Sequence, residues 1–456
     1  MISSDNDDFS FSPVNTYLRN PLRILNHMPL IALKLKQGRK WSLVSADNGK
    51  DKDKHLLVMD VLSELAVNTI EIPEALNEIT IINDCSGARN DIEFSLLECY
   101  PTGLLEFHVT DRCDLNCVDC HYRNKVNATI PFNNIAQIAR RLKPAAITIT
   151  GGGEPTVYAD KGKHLSDVVF EVRHILPETK LGLINNNTFI PRGEWANEIE
   201  WQRSSLDAAS AETYFKIKRK DLFDTVVRNI KKLLLETSIP HVGVGFLFRK
   251  ENAHDIHIFL CYWHRWLSAQ TAKIQQRFNI QFRPISPAID DILSMKTIDS
   301  FPDKITIETV EAQVELTHKN MENDASFAEF VRNRTNFNTC FCSQADSRGL
   351  FVHHPVSFDK CYNAFSHRVF RANGDEYPDF LLCNHPELKM GNTLQKESVE
   401  SLLRISLMEF FYFNRRGQFC SGEVCRQGWV SQCVEQYLRG LIAEEKLTRI
   451  PRSFFF

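Results

Sequence analysis

The stretch LLEFHVTDRCDLNCVDCHY, residues Leu104–Tyr122, decides the reading of this chain. Leu104–Thr110 reads as a β-strand. The loop that follows it carries Cys113, Cys117 and Cys120 at CxxxCxxC spacing. Thiolates are the soft ligands that iron–sulfur clusters require, and three in one loop can hold three irons of a [4Fe–4S] cluster. The fourth iron then lacks a protein ligand and can take a small molecule. The competing reading is part of a zinc site, but zinc prefers four ligands and no fourth is evident nearby.

Working outward, the next strand, Ala146–Thr150, runs into Gly151-Gly152-Gly153-Glu154-Pro155-Thr156. Glycines let backbone approach a ligand closely, and a carboxylate there can receive an ammonium. Between the two strands Asn133–Leu142 reads as a helix. The alternation continues with a helix at Ser166–His174, strands at Lys180–Ile184 and Trp201–Leu206, and a helix at Leu222–Leu235. A strand at His241–Phe248, a helix around Ile256–Trp266 and a strand at Asn279–Arg283 complete it. About six βα repeats of this kind argue an α/β fold with a parallel sheet closed into a partial (β/α)6 TIM-like barrel. Chemistry is then expected at the C-terminal strand ends.

The chain has 456 residues, 43% hydrophobic and 24% charged, enough for several domains. The expected divisions are a small N-terminal domain at 1–95, the barrel at 96–290, a bridge at 291–345 and a Cys-rich domain at 346–456. In the first of these, Leu56–Ala66 has helical spacing and Ile70–Ile82 alternates like short strands. With 54 basic and 57 acidic residues the net charge is −3, so no nucleic-acid partner is implied. The acidic, polar start lacks the pattern of a secretory signal, and no apolar run is long enough for a membrane span. A soluble, cytoplasmic protein with no membrane partner is expected. Thirteen cysteines in such a chain point to metal or cluster ligation rather than disulfides.

A strand ending in Thr-Asp-Arg-Cys113, then Asp-Leu-Asn-Cys117 and Cys120, resembles the signature loop of the radical S-adenosylmethionine (SAM) superfamily. That family has an aromatic residue before the last cysteine; here it is Asp119, with His121 and Tyr122 following as candidates for a ring near the adenine. Gly151, Gly152, Gly153 and Glu154 resemble the family's GGE motif, which binds the amino group of SAM. Asn185, in Leu183-Ile-Asn185-Asn-Asn187, resembles the end of the family's third strand. Ser205 and Asp207, in Arg203-Ser-Ser205-Leu-Asp207, resemble the end of the fourth, facing the ribose or the methionine carboxylate. Val242-Gly-Val-Gly245-Phe resembles the fifth strand, beside the adenine. The likeness covers roughly residues 100–290. It implies that SAM chelates the open iron, that one electron cleaves it to a 5′-deoxyadenosyl radical, and that this radical takes a hydrogen atom from substrate.

Toward the C-terminus the cysteines become dense. Asn373-Gly374 is a hairpin signal between Cys361 and Cys383, and Cys420, Cys425 and Cys433 follow. This layout resembles the twitch or SPASM extension of radical SAM enzymes and implies a second, auxiliary [4Fe–4S] cluster on Cys361, Cys383, Cys420 and Cys425, with Cys433 as a substitute. Zinc, or plain buried thiols, is the alternative. An auxiliary cluster favours net oxidation or crosslinking, with a flavodoxin- or ferredoxin-like electron donor. Two substrate classes remain open: a ribosomally made peptide, whose leader residues 1–95 would hold, or a small molecule such as an aminocyclitol or sugar. A non-catalytic metal-binding module is the reading from another class, and the Gly-Gly-Gly-Glu motif speaks against it.

Overall fold

Strands β1 (Leu104–His108), β2 (Ala146–Thr150), β3 (Lys180–Asn185), β4 (Trp201–Ser205), β5 (His241–Phe248) and β6 (Phe278–Pro284) lie side by side in chain order, every neighbouring pair parallel. The computed structural model describes residues 104–118, 120, 122, 127–142, 144, 146–191, 193–285, 304–341, 367–377, 383, 389 and 391–394. It also describes the backbone of three antiparallel strands, Ala32–Leu35, Ile79–Ile82 and Arg89–Asn90.

Helices α1 (Phe132–Leu142), α2 (Leu165–Ile175), α3 (Ala211–Lys218), α4 (Phe223–Glu236), α5 (Ile256–Ser268) and α6 (Ala272–Arg277) join the strands. In α4 the residues Val226, Val227, Ile230, Leu233 and Leu234 recur at helical spacing and are buried. Each such side chain contributes roughly 1.5–3 kcal/mol on leaving water. Facing them, Phe107, Ile149, Leu183, Val244 and Phe282 of the sheet are almost fully buried in the same core. The partial barrel expected from the alternation is thus what the chain forms. The short helix α3 is an addition to it. Ser210 caps α3 by accepting from the Thr213 amide at 3.2 Å, and Arg219 ends it in the left-handed region at φ 61°.

The segment read as a bridge packs on the barrel. Helices α7 (Lys304–Asn323) and α8 (Ala325–Arg334) supply Val310, Phe327, Phe330 and Val331 to the core. Beyond α8, the Asn336 side chain accepts from Phe282 N at 2.7 Å and donates to Phe282 O at 2.9 Å, and Thr335 bridges Ile280. These residues continue the ladder past β6 and cover an edge that would otherwise expose its backbone groups.

The other edge is covered from the C-terminal region. Strand β7 (His367–Phe370) runs parallel to β1, with His367 opposite Leu104 and Phe370 opposite Phe107. It turns at Asn373-Gly374, where Gly374 has φ +84°, into the antiparallel β8 (Asp375–Tyr377), and β9 (Gly391–Asn392) follows. The expected hairpin therefore forms, and it extends the barrel sheet itself. Of the cysteines assigned to an auxiliary cluster, Cys383 lies buried just past the hairpin. Cys361, Cys420, Cys425 and Cys433 lie outside the described residues, as do Asp119, His121 and the Leu56–Ala66 segment.

Candidate functional site

The cysteine loop leaves β1 at the C-terminal end of the sheet, between two supports. Asp111 N donates to Ala128 O at 2.9 Å on one side. On the other, Val118 N donates to Ile217 O at 3.0 Å and Asn116 N to Lys218 O at 3.4 Å, so the loop rests on the last turn of α3. Cys113 accepts from the Leu115 amide at 3.5 Å, which curls the loop around its first thiol. Cys113, Cys117 and Cys120 are all half-buried. Burial pushes the Cys117 thiol up; Lys218 and Arg249 nearby pull it back, and Cys120 close by adds to the rise.

The glycine turn after β2 is built onto this loop. Gly153 N donates to Thr110 O at 2.9 Å, and Glu154 N to Arg112 O at 2.7 Å. A Cβ on Gly153 would collide with the Arg112 carbonyl, and one on Gly152 would reach Asp111 Oδ1 at 2.6 Å. The two glycines are therefore required by close packing of one motif on the other.

Glu154 is 2% exposed. One carboxylate oxygen accepts from Thr156 N at 2.9 Å and Thr156 Oγ1 at 2.6 Å; the other accepts from Asn186 N at 2.7 Å. Burial outweighs these bonds and raises its pKa to about 7. A buried acid in this state is suited to an incoming cation, which would favour its ionised form. Asn186 also donates through Nδ2 to Asp114 Oδ1 at 2.7 Å, tying the end of β3 to both motifs. Asp114 Oδ2 is buried with no hydrogen-bond partner among the described residues.

The remaining expected residues divide. Ser205 ends β4 half-buried, in register with Gly245 of β5. Asn185 is in register with Ser204 and accepts from Gln202 Nε2 at 3.0 Å, so it shares their face and lies on the opposite face from Ser205. The Asp207 carboxylate is engaged within the protein. It is 1% exposed, its Oδ1 accepts from Leu247 N at 2.7 Å, and its Oδ2 meets Lys218 Nζ at 2.5 Å. Burial would raise its pKa, but Lys218 and Arg249 outweigh that and hold it low. Asp207 is thereby a support of the α3 end on which the cysteine loop rests.

Tyr122 is turned toward the C-terminal hairpin. Its ring lies edge-on to His108 at 5.1 Å and under the Arg371 guanidinium at 5.2 Å, and its hydroxyl is 3.6 Å from Cys383 Sγ. Arg371 Nη1 donates to Cys383 O at 2.7 Å. The sequence reading missed Lys218, Asn186 and Arg371. Asn186 had a local signal, since it sits inside the quoted strand end; Lys218 and Arg371 act from distant elements and had none.

Three half-buried thiols in one loop, a close-packed glycine turn and a buried acid beside them fit a cluster with one open iron and an amino-acid ligand. Among the described residues no three His, Cys, Asp or Glu side chains converge as they would around one metal ion.

The Radical SAM superfamily matches residues 107–260. A probable GTP 3′,8-cyclase of Pyrococcus abyssi is 27% identical over 139 residues, 29% of this chain and 44% of that protein. The chain thus matches less than half the length of that curated relative. Among solved structures, Streptococcus suis SuiB bound to S-adenosylmethionine is 12% identical with a TM-score of 0.41, over 65% of this chain and 64% of that one. The structure of anSMEcpe with bound AdoMet and Cp18Cys peptide is 13% identical with a TM-score of 0.45, over 76% and 97%. At these TM-scores neither likeness bears on what this chain binds. The family match falls on strands β1 to β5, the cysteine loop and the glycine turn described above, and it is over residues 107–260 that this chain matches the radical SAM superfamily.

Proposed function

We propose that this chain is a radical SAM enzyme in which Cys113, Cys117 and Cys120 hold a [4Fe–4S] cluster and the Gly151–Glu154 turn receives SAM. The observation that carries the reading is the pair of backbone bonds from Gly153 and Glu154 to Thr110 and Arg112, which locks the two motifs together. When bound, the cluster and SAM supply one-electron cleavage to a 5′-deoxyadenosyl radical that removes a hydrogen atom from substrate. The protein's part is position. Glu154 meets the SAM ammonium, the glycines let its amino-acid end approach backbone, and Ser205 faces its polar portion. Helix α3, braced by Lys218 and Asp207, fixes the cysteine loop. Anaerobic reconstitution with an iron count and a 5′-deoxyadenosine assay tests this; a protein that binds iron but never cleaves SAM would instead be the metal-binding module.

In the C-terminal region we read an auxiliary [4Fe–4S] cluster on Cys361, Cys383, Cys420 and Cys425, or Cys433, which would accept an electron in a net oxidation. The support is Cys383, buried beside Tyr122 of the cysteine loop. A variant with Cys113, Cys117 and Cys120 all changed to Ala should then retain about four irons; retention of none, or of zinc, would remove this cluster. A peptide substrate is preferred to a small molecule, because Ala32–Leu35, Ile79–Ile82 and Arg89–Asn90 form a small antiparallel sheet, the kind of element to which a leader peptide adds a strand. A mass difference on substrate after anaerobic turnover would decide between the two classes.

A further inference from the structure

The strand register gathers a second set of charged side chains inside the barrel. Glu106 pairs with Thr148, which pairs with Gly182. Two residues on, Ile184 pairs with Arg203, which pairs with Gly243. Further along β5, Gly245 pairs with Gln281 and Leu247 with Arg283. Residues paired in register share a face, and so do residues two apart in a strand. Glu106, Arg203, Gln281 and Arg283 therefore line one face of the sheet, and His367 joins them from β7 through its pairing with Leu104.

The opposite face is apolar and sealed under the helices, through Phe107, Ile149, Leu183, Val244 and Phe282. On the inner face Glu106, Arg203, Ser205, Leu247 and Arg283 stay half-exposed. A barrel interior that served only as packed core would be filled by branched apolar side chains. This one is walled instead by charged side chains at half-buried positions. On the same face Gly182 leaves room for the indole of its partner Trp201.

The charges are organised. Glu106 accepts from His108 Nε2 at 2.8 Å and lies 3.4 Å from His367 Nε2. Arg203 Nη1 donates to Gln281 Oε1 at 2.5 Å. Burial and then the like charge of Arg283 press on the Arg203 guanidinium, while Glu106 and Asp207 favour it. A guanidinium does not give up its proton in a protein, and an anion beside the two arginines would favour both charges. Arginine forks match carboxylate and phosphate oxygens in pairs.

We propose that Arg203 and Arg283 hold an anionic group of the substrate, a carboxylate or a phosphate, inside the barrel. This rests on the radical SAM reading, which places the substrate inside the barrel next to SAM. Glu106, fixed between His108 of β1 and His367 of the C-terminal strand, is then available to a donor on the same substrate. Because His367 arrives from β7, this inner face is complete only with the C-terminal region docked.

The test uses the full-length, cluster-reconstituted protein in a buffer of weakly binding ions, with inorganic phosphate and succinate as probes. Each is titrated against the thermal unfolding midpoint and by calorimetry. Saturable binding of either probe is expected, weakened about tenfold or more in Arg203→Met and in Arg283→Met, and less in Arg203→Lys, which keeps the charge. Arg283→Met, at the open end of β6, serves if Arg203→Met does not fold. No saturable binding of either probe to the wild type, or unchanged binding in the arginine variants, overturns the proposal. So does one-for-one displacement of the anion by SAM, which would assign the arginines to the SAM carboxylate. Failure of the radical SAM reading shows separately, as absence of 5′-deoxyadenosine from the wild-type protein whatever the anion does.

Discussion

The Glu154 amide donates to the Arg112 carbonyl at 2.7 Å, so the acid of the glycine turn and the residue before Cys113 move as one piece of backbone. The distance between cluster ligands and the SAM-binding turn is therefore set by main-chain hydrogen bonds and does not depend on side-chain rotamers. Any change that pushes the turn off the loop should separate the SAM amino group from the open iron.

Gly153→Ala makes that change. Its Cβ would run into the Arg112 carbonyl, whereas Gly162, at φ +81° in an exposed turn, has open space around it. Overpacking of this kind costs about 1–3 kcal/mol. Gly153→Ala should weaken SAM binding and lower the unfolding midpoint in denaturant. Gly162→Ala should cost about 1–2 kcal/mol, for its left-handed backbone alone, and leave SAM affinity unchanged in titration.

Glu154 should make SAM binding depend on pH. Its pKa rises from 4.5 to about 7 on folding, because burial penalises the charge. Between those values the folded protein keeps a proton that the unfolded chain has lost, so stability of the ligand-free protein falls as pH rises through that window. The ammonium of SAM favours the ionised acid. SAM affinity should therefore rise with pH through about 7 and then level off, with a proton released on binding below that point. Glu154→Gln should weaken SAM about tenfold or more and flatten the profile, since a charge-assisted bond of this type is worth roughly 1.5–3 kcal/mol. Calorimetric titration across this range in wild type and variant reads both effects; equal slopes in the two proteins would count against the role.

Asp207 and Lys218 should matter for stability first and chemistry second. Their side chains are 2% and 6% exposed and meet at 2.5 Å. Removing one partner of a buried pair strands the other charge and costs about 3–5 kcal/mol. Lys218→Met should lower stability by this amount in denaturant unfolding. It should also loosen the cysteine loop, which hangs on the Ile217 and Lys218 carbonyls, and that loosening should appear as lower iron retention after gel filtration. Full iron retention in a clearly destabilised variant would separate the ion pair from the loop.

The barrel strands were legible because their apolar runs are long and bounded; His241–Phe248 is a strand from end to end as the sequence indicates. Helix α3 was not. It has eight residues, and only Tyr214 and Ile217 of its large apolar side chains are fully buried, too few to establish a period. The pairing of β7 with β1 was also hidden, since nearly the whole barrel lies between Leu104 and His367 in sequence and nothing local names the partner edge. In the site, motif spacing pointed to the Cys113–Cys120 loop and the Gly151–Glu154 turn, and the structure packs the two together. Motif order alone did not say which way Asn185 and Asp207 are directed. Strand parity sends Asn185 to the face of Ser204, and a left-handed backbone at φ 59° turns Asp207 toward Lys218. The inner face did carry a signal: charged or polar side chains at every second position, Glu106 and His108 in β1 and Gln281 and Arg283 in β6, in strands whose other positions are mostly apolar, with Arg203 and Ser205 on the same face of β4.

The central claim is that the Cys113–Cys120 loop and the Gly151–Glu154 turn together cleave SAM by one-electron reduction. The most direct measurement is 5′-deoxyadenosine formed from SAM under anaerobic reduction by the full-length, iron-reconstituted protein and by its Cys113→Ala, Cys117→Ala, Cys120→Ala triple variant. The wild type should form 5′-deoxyadenosine and methionine in equal amounts, and the triple variant should form neither while still folding. Formation by the triple variant, or none from a wild type loaded with cluster and SAM, would contradict the account.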